Sequence, residues 1–310
     1  MRNLYKLLKQ SVAHFLYDHF LPSLINKRWK RTYGYKIDWD NPQNINEKMQ
    51  WLVCYGDTSL WPLCADKYRV REFLKQRGLE HLAVRLLGVW NDANDIDYDI
   101  LPEKFMLKCN HDSGTCVMVD KNKPFEKKEI NSQLNKALKV KFGYINGETY
   151  YNKIEPCIIA EEFLEDKECN FSSSLVDYKM WCFDGKPYCT WACHNRDKHC
   201  TYVNIYDMDW NVHPECSVFT DHYRDGEGKV PKPKTFEQMR EAASILSKGF
   251  PEVRVDFYEV NGKLYFGELT FMTLYGQIDF YTVEFLKELG DQCVLPNKKK
   301  WQILQYIPFS

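Results

Sequence analysis

Two acidic residues inside apolar strands constrain this sequence more than any other feature. Residues 253–260 and 264–270 alternate apolar and polar side chains on either side of Asn261-Gly262, a dipeptide that favours a β-hairpin turn. Asp256 and Glu268 lie within these runs. A carboxylate in an apolar interior is costly unless it is paired or binds a cation. The hairpin therefore predicts either an ionic site or a solvated edge with scattered charges.

The length of the turn decides whether the two carboxylates act together. A two-residue turn at Asn261-Gly262 places Asp256 and Glu268 on opposite faces of the hairpin. A three-residue turn that includes Val260, with Gly262 in the left-handed conformation, brings them to one face. That face would suit Mg²⁺, which prefers one or two carboxylates together with phosphate oxygens. The residues that would share it are Arg254, Asp256, Glu268 and Thr270.

A second segment is an apolar strand that ends on a lysine. Residues 105–108 end at Lys108, and the small-residue loop 110–115 leads to a further strand at 116–119. Backbone N–H groups of such a loop can face a phosphate, with the lysine as a point charge. A plain hairpin turn explains the pattern equally well. The loop is not a P-loop, because no G-x-x-x-x-G-K-[ST] motif occurs in the chain.

Two further strands carry charged residues. Residues 158–160 lead into Glu161 and Glu162, which could hold an adenine through backbone groups and a carboxylate. In the following strand, Asp177 and Lys179 alternate onto one face. An exposed cross-strand ion pair would produce the same pattern. Each of these two features is a weak indication by itself.

The composition indicates a globular protein and argues against a nucleic-acid binder. The 310 residues include 42 Lys and Arg against 43 Asp and Glu, so the net charge is −1 and no basic field attracts phosphate backbones. The 12 cysteines are irregularly spaced, which favours free thiols in a reducing compartment. No apolar run of about 18 residues and no signal-peptide pattern occur, so we expect a cytoplasmic protein.

The order of elements predicts an α+β chain with helical ends and an antiparallel-rich middle. One helix is expected after Asn46 as its N-cap, and another over Asp66–Arg77 that ends at Gly78. A third is expected over residues 236–248, and Asp184-Gly185 should form a hairpin turn. No internal repeat and no low-complexity linker divide the chain.

The first 26 residues place apolar side chains at helical spacing, and a basic run follows at residues 27–31. Two interpretations are open. The helix packs on the body of the protein, or it is an amphipathic helix whose basic end contacts an anionic membrane surface. The second interpretation predicts a peripheral location at the inner face of a membrane.

Taken in order, these segments resemble the ATP-grasp ligases, and within them the TupA-like family of teichuronopeptide biosynthesis. The resemblance extends from about residue 41 to about residue 295. The segments that carry it are Asn46-Glu47-Lys48, Asp66-Lys67-Tyr68-Arg69-Val70-Arg71, Lys108-Cys109-Asn110-His111-Asp112-Ser113-Gly114, Asp177-Tyr178-Lys179, Phe183-Asp184-Gly185-Lys186-Pro187, Tyr206-Asp207, Arg254-Val255-Asp256-Phe257-Tyr258 and Gly267-Glu268-Leu269-Thr270-Phe271.

The resemblance implies an ATP-grasp fold, in which two α+β subdomains grip ATP, with a helical N-terminal extension. The implied boundaries are 1–80 for the N-terminal helical segment and 81–160 for the small subdomain with the phosphate loop. Residues 161–295 would form the large subdomain with the Mg²⁺-binding hairpin, and 296–310 a C-terminal tail.

The resemblance also implies roles for individual residues. ATP would be bound by Lys67 and Lys108, by the loop residues Asn110, Ser113, Gly114 and Thr115, by the adenine hinge Glu161 and Glu162, and by Asp177 near the ribose. Catalysis would involve Arg254 at the transferring phosphoryl group, Lys179, and Arg196 as a candidate for holding the acid or the phosphate. Mg²⁺ would be held by Asp256 and Glu268, with Thr270 at a position where most ATP-grasp enzymes have Asn.

The implied reaction is a ligation that consumes ATP and requires Mg²⁺. A carboxylate is phosphorylated to an acyl phosphate, and an amine then displaces phosphate. The implied partners are an amine or amino acid and a carboxylate-bearing sugar or glycan of surface polysaccharide, with no nucleic acid. Three alternatives stay open: glycosyl transfer from a nucleotide sugar, a kinase reaction, and a non-catalytic nucleotide-binding partner of a membrane assembly.

Two rival kinds of site are not expected. The cysteines and histidines at 109–116 and 182–200 lack the C-x₂-C pairs of a structural zinc site. No G-x-S-x-G motif occurs that would indicate a covalent hydrolase.

Overall fold

The computed structural model describes residues 2–298, with side chains from residue 11 onward. Within that range, helices surround two β-sheets. The helices are α1 (Arg2–Tyr33), α2 (Ile45–Tyr55), α3 (Trp61–Ala65), α4 (Val70–Gln76), α5 (Lys127–Ala137), α6 (Gly143–Asn146), α7 (Phe236–Ser247) and α8 (Val283–Gln292). The strands are β1 (Leu86–Trp90), β2 (Lys104–Cys109), β3 (Cys116–Asp120), β4 (Ile158–Glu162), β5 (Asp177–Phe183), β6 (Lys186–His194), β7 (Thr201–Tyr206), β8 (Tyr223–Asp225), β9 (Val253–Val260) and β10 (Lys263–Thr270).

The strands form a four-stranded and a six-stranded sheet. The first has the order β1-β4-β2-β3, and the second has the order β10-β9-β5-β6-β7-β8. Among the described strands every pairing is antiparallel except that of β7 with β8. The predicted α+β class with an antiparallel-rich middle is confirmed.

Each sheet has its own apolar core. The core of the four-stranded sheet gathers side chains of β2 and β4, such as Phe105 and Ile158, against Leu134 of α5. The core of the six-stranded sheet also contains α1, α2 and α4, so the N-terminal helices pack with that sheet and have no separate core. The domain boundaries stay predictions, and residues 299–310 of the predicted tail 296–310 lie outside the described residues.

Helix α2 begins two residues earlier than expected. Its N-cap is Asn44, whose side-chain oxygen accepts a hydrogen bond from the backbone N–H of Glu47 at 3.0 Å. Asn46, the predicted cap, is buried within the helix. Its amide exchanges two hydrogen bonds with the backbone of Ile278, at 2.9 and 3.0 Å. The asparagine therefore ties α2 to the segment after β10, and the prediction of Asn46 as the cap is wrong.

The helix predicted over Asp66–Arg77 is shorter in the structure. Asp66 instead closes a turn, because its Oδ1 accepts the backbone N–H groups of Tyr68 and Arg69 at 2.8 and 3.1 Å. Helix α4 then runs from Val70, and Gly78 follows its end with φ of +73°. The predicted end is confirmed, and the predicted start is four residues too early.

Helix α1 packs on the body of the protein through its second half. Leu21, Ile25 and Trp29 are buried in the large core. The helix is kinked at Phe20, whose φ and ψ are non-helical, and Pro22 lies within it. None of the described helices is long and apolar enough to cross a membrane.

Several local predictions agree with the structure. Helix α7 covers the predicted 236–248 to within one residue. Asp184 and Gly185 form the β5–β6 turn, both with positive φ. All 12 cysteines are free thiols, as their spacing indicated.

Candidate functional site

The β9–β10 hairpin has the shorter of the two turns considered. Val260 pairs with Lys263, so only Asn261-Gly262 lie between the strands, with φ of +50° and +71°. A regular ladder that continued from this turn would leave Asp256 and Glu268 on opposite faces. The turn alone would therefore separate the two carboxylates.

A β-bulge at Gly267 brings the carboxylates together. The register shifts between Phe266 and Glu268, and the extra residue rotates the rest of β10 by one position. Glu268 consequently lies opposite Asp256. A Cβ on Gly267 would lie 3.0 Å from the backbone oxygen of Asp256, so glycine fits the bulge best. The residues gathered on the shared face are Arg254, Asp256, Glu268 and Thr270.

Asp256 is the centre of a buried ionic network. Its Oδ1 accepts from Nε of Arg254 at 2.7 Å, and its Oδ2 accepts from Nη2 of the same guanidinium at 2.8 Å. Lys179, directly opposite on β5, donates to Oδ2 at 2.5 Å. Asp256 is 1% exposed, so this bidentate arginine pair is shielded from water.

The network shifts the pKa values of its members in the directions that keep them charged. Burial acts to raise the pKa of Asp256, but Arg254 and Lys179 outweigh it and hold that pKa at about 2. Burial acts to lower the pKa of Lys179, but Asp177 and Asp256 raise it above its ordinary value. Arg254 is stabilised in its charged form by Asp256 in the same way, and its pKa is raised. All three side chains are therefore ionised at neutral pH.

The network continues in two directions from Asp256. On β10, Nη2 of Arg254 contacts Thr270 Oγ1 at 3.1 Å and Glu268 Oε1 at 3.4 Å. On β5, Lys179 lies 3.5 Å from Asp177 Oδ2, which Arg196 also contacts at 2.7 Å. The resulting chain of alternating charges runs across β10, β9 and β5 and ends in the loop after β6.

A cavity of about 120 Å³ lies between the two sheets, beside this network. We call it the inter-sheet cavity. Six predicted site residues line it: Lys67, Lys108, Gly114, Thr115, Glu161 and Glu268. Apolar side chains form one wall, from Val70, Leu74, Ala83, Val84 and Phe266, and the lining is completed by Arg71, Cys116, Tyr258 and Gly267. The lining therefore combines one apolar wall with several cations.

Inside the inter-sheet cavity, Glu161 holds two cations. Its Oε2 accepts from Lys108 Nζ at 2.6 Å, and its Oε1 accepts from Arg71 Nη2 at 2.6 Å. Burial acts to raise the pKa of Glu161, but the two cations lower it below its ordinary value. Lys108 has a raised pKa, because the carboxylate outweighs the effect of burial. Lys108 is therefore a charged group at the cavity wall.

The predicted phosphate loop covers the inter-sheet cavity, but its residues differ in role. Lys67 Nζ donates to the backbone oxygen of Asp112, and Gly114 and Thr115 line the cavity. Ser113 is exposed and does not line it. Asn110 is buried, and both its amide hydrogens are used, by Asp66 Oδ1 and by a backbone oxygen, at 2.9 Å each. Asn110 therefore has no free side-chain donor for a nucleotide and shapes the loop.

Besides Asn110 and Ser113, the predicted nucleotide residues Glu162 and Asp177 also lie outside the inter-sheet cavity. Glu162 follows Glu161 along β4, so its side chain points to the opposite face, where it is exposed. Asp177 is buried and belongs to the ionic network, through Arg196 and Lys179. Their roles at a hinge and a ribose stay predictions.

A second cavity, of about 260 Å³, lies on the other side of the network. The predicted catalytic residues Lys179, Arg196 and Arg254 all line it. One wall is aromatic, formed by Trp191, Phe280 and Tyr223, and the rings of the first two stack at 4.4 Å. Asp197 is the one acidic residue among the described lining residues, so this second cavity is suited to an anion.

The donor set of the hairpin fits Mg²⁺ in part. Glu268 has a side chain that is 50% exposed and only a long contact to Arg254, so its carboxylate is open to a cation. Thr270 adds a hydroxyl, which lies 3.2 Å from Glu268 Oε1. Asp256 has both oxygens occupied by Arg254 and Lys179. Within residues 2–298, no group of three or more His, Cys, Asp and Glu side chains could hold a metal, so a zinc site is also not found there.

Three features of the site were not predicted from the sequence. Gly267 interrupts an apolar strand, and an isolated glycine in a strand is a recognised indication of a bulge. Arg71 lies in the segment that carries the family resemblance. Its ion pair with Glu161 joins residues 90 positions apart, so no local sequence pattern indicates it. The aromatic wall of the second cavity joins residues from β6, from the loop beyond β10 and from β8, which only the fold brings together.

The structure thus combines two β-sheets, each packed with helices, and a cationic cavity between them. Beside the cavity lies a hairpin that carries two facing carboxylates. The family model for TupA-like ATP-grasp proteins matches residues 47–294. The chain belongs to the TupA-like ATP-grasp family. Among curated proteins, no match was found.

Solved structures resemble the chain distantly. A D-alanine–D-alanine ligase from Bacillus anthracis is 16% identical over 67% of this chain and 57% of its own, with a TM-score of 0.38. The same enzyme complexed with ATP is 15% identical over 89% and 73%, with a TM-score of 0.43. A phosphoribosylamine–glycine ligase from Thermotoga maritima is 12% identical over 71% and 49%, with a TM-score of 0.39. The chain thus spans between about half and three quarters of these proteins, and the family assignment rests on the family model.

Proposed function

We propose that the protein is an ATP- and Mg²⁺-dependent carboxylate–amine ligase. The observation that carries the proposal is the position of Arg254. This arginine lines the second cavity and also contacts Glu268, which lines the inter-sheet cavity. A cation at that point can stabilise charge on a phosphoryl group that passes from a nucleotide on one side to an anion on the other.

ATP is the proposed occupant of the inter-sheet cavity. The apolar wall receives the adenine, and Lys67 and Lys108 neutralise the phosphates. Phosphate oxygens then compete with the carboxylate of Glu161 for Lys108, and Arg71 keeps Glu161 paired when they do. Glu268, with Thr270, would hold Mg²⁺, which would neutralise phosphate charge, while Asp256 keeps both of its oxygens on Arg254 and Lys179.

The second cavity is the proposed site of the carboxylic acid. Arg196 and Arg254 present guanidinium groups that match a carboxylate in geometry and charge. Lys179 completes the cationic side, and the buried Asp256 fixes both Arg254 and Lys179 in place. Positioning and charge neutralisation then account for most of the rate.

The proposed reaction has two steps. A carboxylate oxygen of the acid attacks the γ-phosphorus of ATP, the bond to the β-phosphate oxygen breaks, and ADP leaves. The amine nitrogen attacks the acyl carbon of the resulting acyl phosphate, a C–N bond forms, the C–O bond to phosphate breaks, and the amine loses a proton. The protein forms no covalent bond in either step.

The substrate class is proposed from the family resemblance. It points to a sugar carboxylate of surface polysaccharide, joined to an amine or amino acid. The aromatic wall of Trp191, Tyr223 and Phe280 supports this, since aromatic rings offer an apolar surface to the ring of a sugar.

Interception with hydroxylamine tests the ligase reaction. The protein is incubated with ATP, Mg²⁺ and a panel of uronic and amino acids, and hydroxylamine replaces the unidentified amine. A ligase yields a hydroxamate and ADP in equal amounts with the correct acid. ADP with a stable phosphorylated product and no hydroxamate would indicate a kinase, and product from a nucleotide sugar without ATP would indicate glycosyl transfer. Nucleotide binding without turnover for any acid would favour the non-catalytic alternative.

A further inference from the structure

The exposed face of α1 combines apolar and basic side chains. Among residues 11–20 of this helix, four apolar side chains are exposed: Val12 (58%), Phe15 (54%), Leu16 (37%) and Phe20 (49%). Beyond the kink, Lys27, Lys30 and Arg31 are exposed. We call these seven residues the α1 surface. Within each half of the helix, their spacing of three and four positions keeps them on one side.

The α1 surface is not needed for the core. The opposite side of the helix supplies Leu21, Ile25 and Trp29 to the large core, and each of them is 1% or 2% exposed. Four large apolar side chains are thus left in water on a helix that is already anchored. An apolar patch of this kind, bordered by charge, marks an interaction surface.

Two adjoining depressions join the apolar and basic parts of the α1 surface. The first, of about 530 Å³, is lined by Leu16, Lys27, Arg31 and Ile145, and Ile145 is 55% exposed. The second, of about 590 Å³, shares Lys27 and Arg31 and adds Lys30 and Lys36. Apolar and cationic groups therefore face the same hollow.

The charge of this part of the chain is strongly asymmetric. Residues 1–36 contain eight lysines and arginines and a single acidic residue, Asp18, whereas the whole chain has a net charge of −1. Asp18 is occupied by the hydroxyl of Tyr144, which lies 3.0 Å from both carboxylate oxygens. The α1 surface is therefore a cationic region of an otherwise acidic molecule.

We propose that the α1 surface docks on an anionic phospholipid bilayer. The apolar side chains enter the boundary between headgroups and acyl chains, and Lys27, Lys30 and Arg31 contact headgroup phosphates. A second copy of the chain fits less well, because its α1 surface carries the same positive charge and supplies no anionic group to these three cations. The proposal is independent of the ligase reaction and concerns where the protein works.

Flotation of the full chain with lipid vesicles tests the proposal. We expect binding to vesicles with about 30 mol% phosphatidylglycerol, at least about tenfold weaker binding to pure phosphatidylcholine, and release as the salt concentration rises. Replacing Lys27, Lys30 and Arg31 together by glutamine should lower the partition coefficient about 10- to 100-fold. Phe15→Gln with Leu16→Gln should also abolish flotation, and glutamine keeps helix propensity.

A matched variant tests whether vesicle binding depends on the position of the positive charges or only on their number. Lys128, Lys136 and Lys139 are exposed on and after α5, and their change to glutamine removes the same charge elsewhere. That variant should float like the wild type, and all variants should keep the wild-type melting temperature. The proposal would be overturned if the α5 variant lost vesicle binding to the same extent or if the wild type showed no preference for anionic vesicles. It would also be overturned if the wild type were a dimer that Phe15→Gln with Leu16→Gln dissociates.

Discussion

Asp256 illustrates how one buried carboxylate can organise a site. Its two oxygens orient Arg254 and Lys179, and both cations are then presented to the second cavity. Because the carboxylate is 1% exposed, most of its interaction with these cations is unscreened. Glu268, its partner across the strands, is half-exposed and has only long contacts. The two carboxylates of the hairpin therefore differ: one is structural and electrostatic, and the other is open to a ligand.

Changing Glu268 to glutamine should remove activity without unfolding the protein. The side chain is 50% exposed and its contact to Arg254 is 3.4 Å long, so we expect a loss of less than about 1 kcal/mol of stability. Turnover of ATP should fall by about 100-fold or more. The measurement is ADP release alongside a thermal melt, with Glu284→Gln in α8 as the exposed control. Wild-type turnover in Glu268→Gln would remove this residue from the proposed metal site.

Changing Asp256 to asparagine should affect both stability and activity. The substitution leaves two buried cations without their anion, which costs about 3–5 kcal/mol in comparable sites. Because the folded pKa of Asp256 is about 2, below its ordinary value of 3.8, its contribution is present above that ordinary value and is lost as the pH falls through about 2. Urea unfolding of the wild type and of Asp256→Asn at several pH values measures this contribution to the free energy of unfolding. A stability equal to that of the wild type at neutral pH would contradict the network.

At the scale of elements, the β9–β10 hairpin depends on a turn and a bulge together. The two-residue turn sets one register, and Gly267 shifts it, so that the shared face exists only beyond the bulge. Strand β5 then supplies Lys179 directly opposite Asp256. Three neighbouring strands thus each contribute one charged group to a single row across the sheet.

Replacing Gly267 by alanine tests the bulge. The new Cβ would lie 3.0 Å from the backbone oxygen of Asp256 and 3.2 Å from the ring of Tyr258, so one of them must move. We expect a loss of about 1–3 kcal/mol in the free energy of unfolding, together with weaker nucleotide binding. Denaturant unfolding and ATP titration are the measurements. Unchanged stability and affinity would show that the close approach at Gly267 is unimportant.

The sequence predicts the elements of this hairpin better than their register. Alternating side chains and Asn261-Gly262 locate both strands, and Lys108 and Glu161 are placed correctly at the ends of apolar runs. Such patterns are local, so the sequence alone shows them. The N-cap of α2 shows the limit: the sequence predicted Asn46, the structure has Asn44, and the contact that keeps Asn46 inside the helix is with Ile278, 232 residues away. The ion pair of Arg71 with Glu161 fails to appear in the sequence for the same reason.

At the scale of the whole molecule, two cavities lie on either side of one ionic network. The N-terminal helices share the core of the large sheet, and Arg28 of α1 donates to the backbone oxygen of Asn146 at the end of α6 at 2.6 Å. In that region Glu148 is buried, and its Oε1 accepts from the hydroxyl of Tyr150 at 2.9 Å. Burial raises the pKa of Glu148 to about 7, so this carboxyl links the stability of the N-terminal packing to pH.

Stability should fall as the pH rises from about 4.5 to about 7, because Glu148 is protonated in the folded protein and ionised in the unfolded chain across that window. The contribution at stake is on the order of 3 kcal/mol. Glu148→Gln should flatten this dependence, since glutamine does not titrate. The test is the urea midpoint of the wild type and of Glu148→Gln, measured from pH 4 to pH 8 at intervals of about half a pH unit. Parallel curves for the two proteins would contradict the assignment.

On the proposed function, the inter-sheet cavity binds ATP and the second cavity binds the carboxylic acid. A thermal-shift comparison of ATP, ADP, GTP and UDP-sugars, with and without Mg²⁺, tests this assignment most directly on the wild type, Lys108→Ala, Arg196→Ala and the exposed control Lys128→Ala. Saturating ligand stabilises a protein by about 3 kcal/mol, which is a shift of a few degrees. We expect a Mg²⁺-dependent shift of the melting temperature with ATP that Lys108→Ala loses and that Arg196→Ala and Lys128→Ala retain. An ATP shift that survives Lys108→Ala, or a shift with UDP-sugars alone, would contradict this assignment.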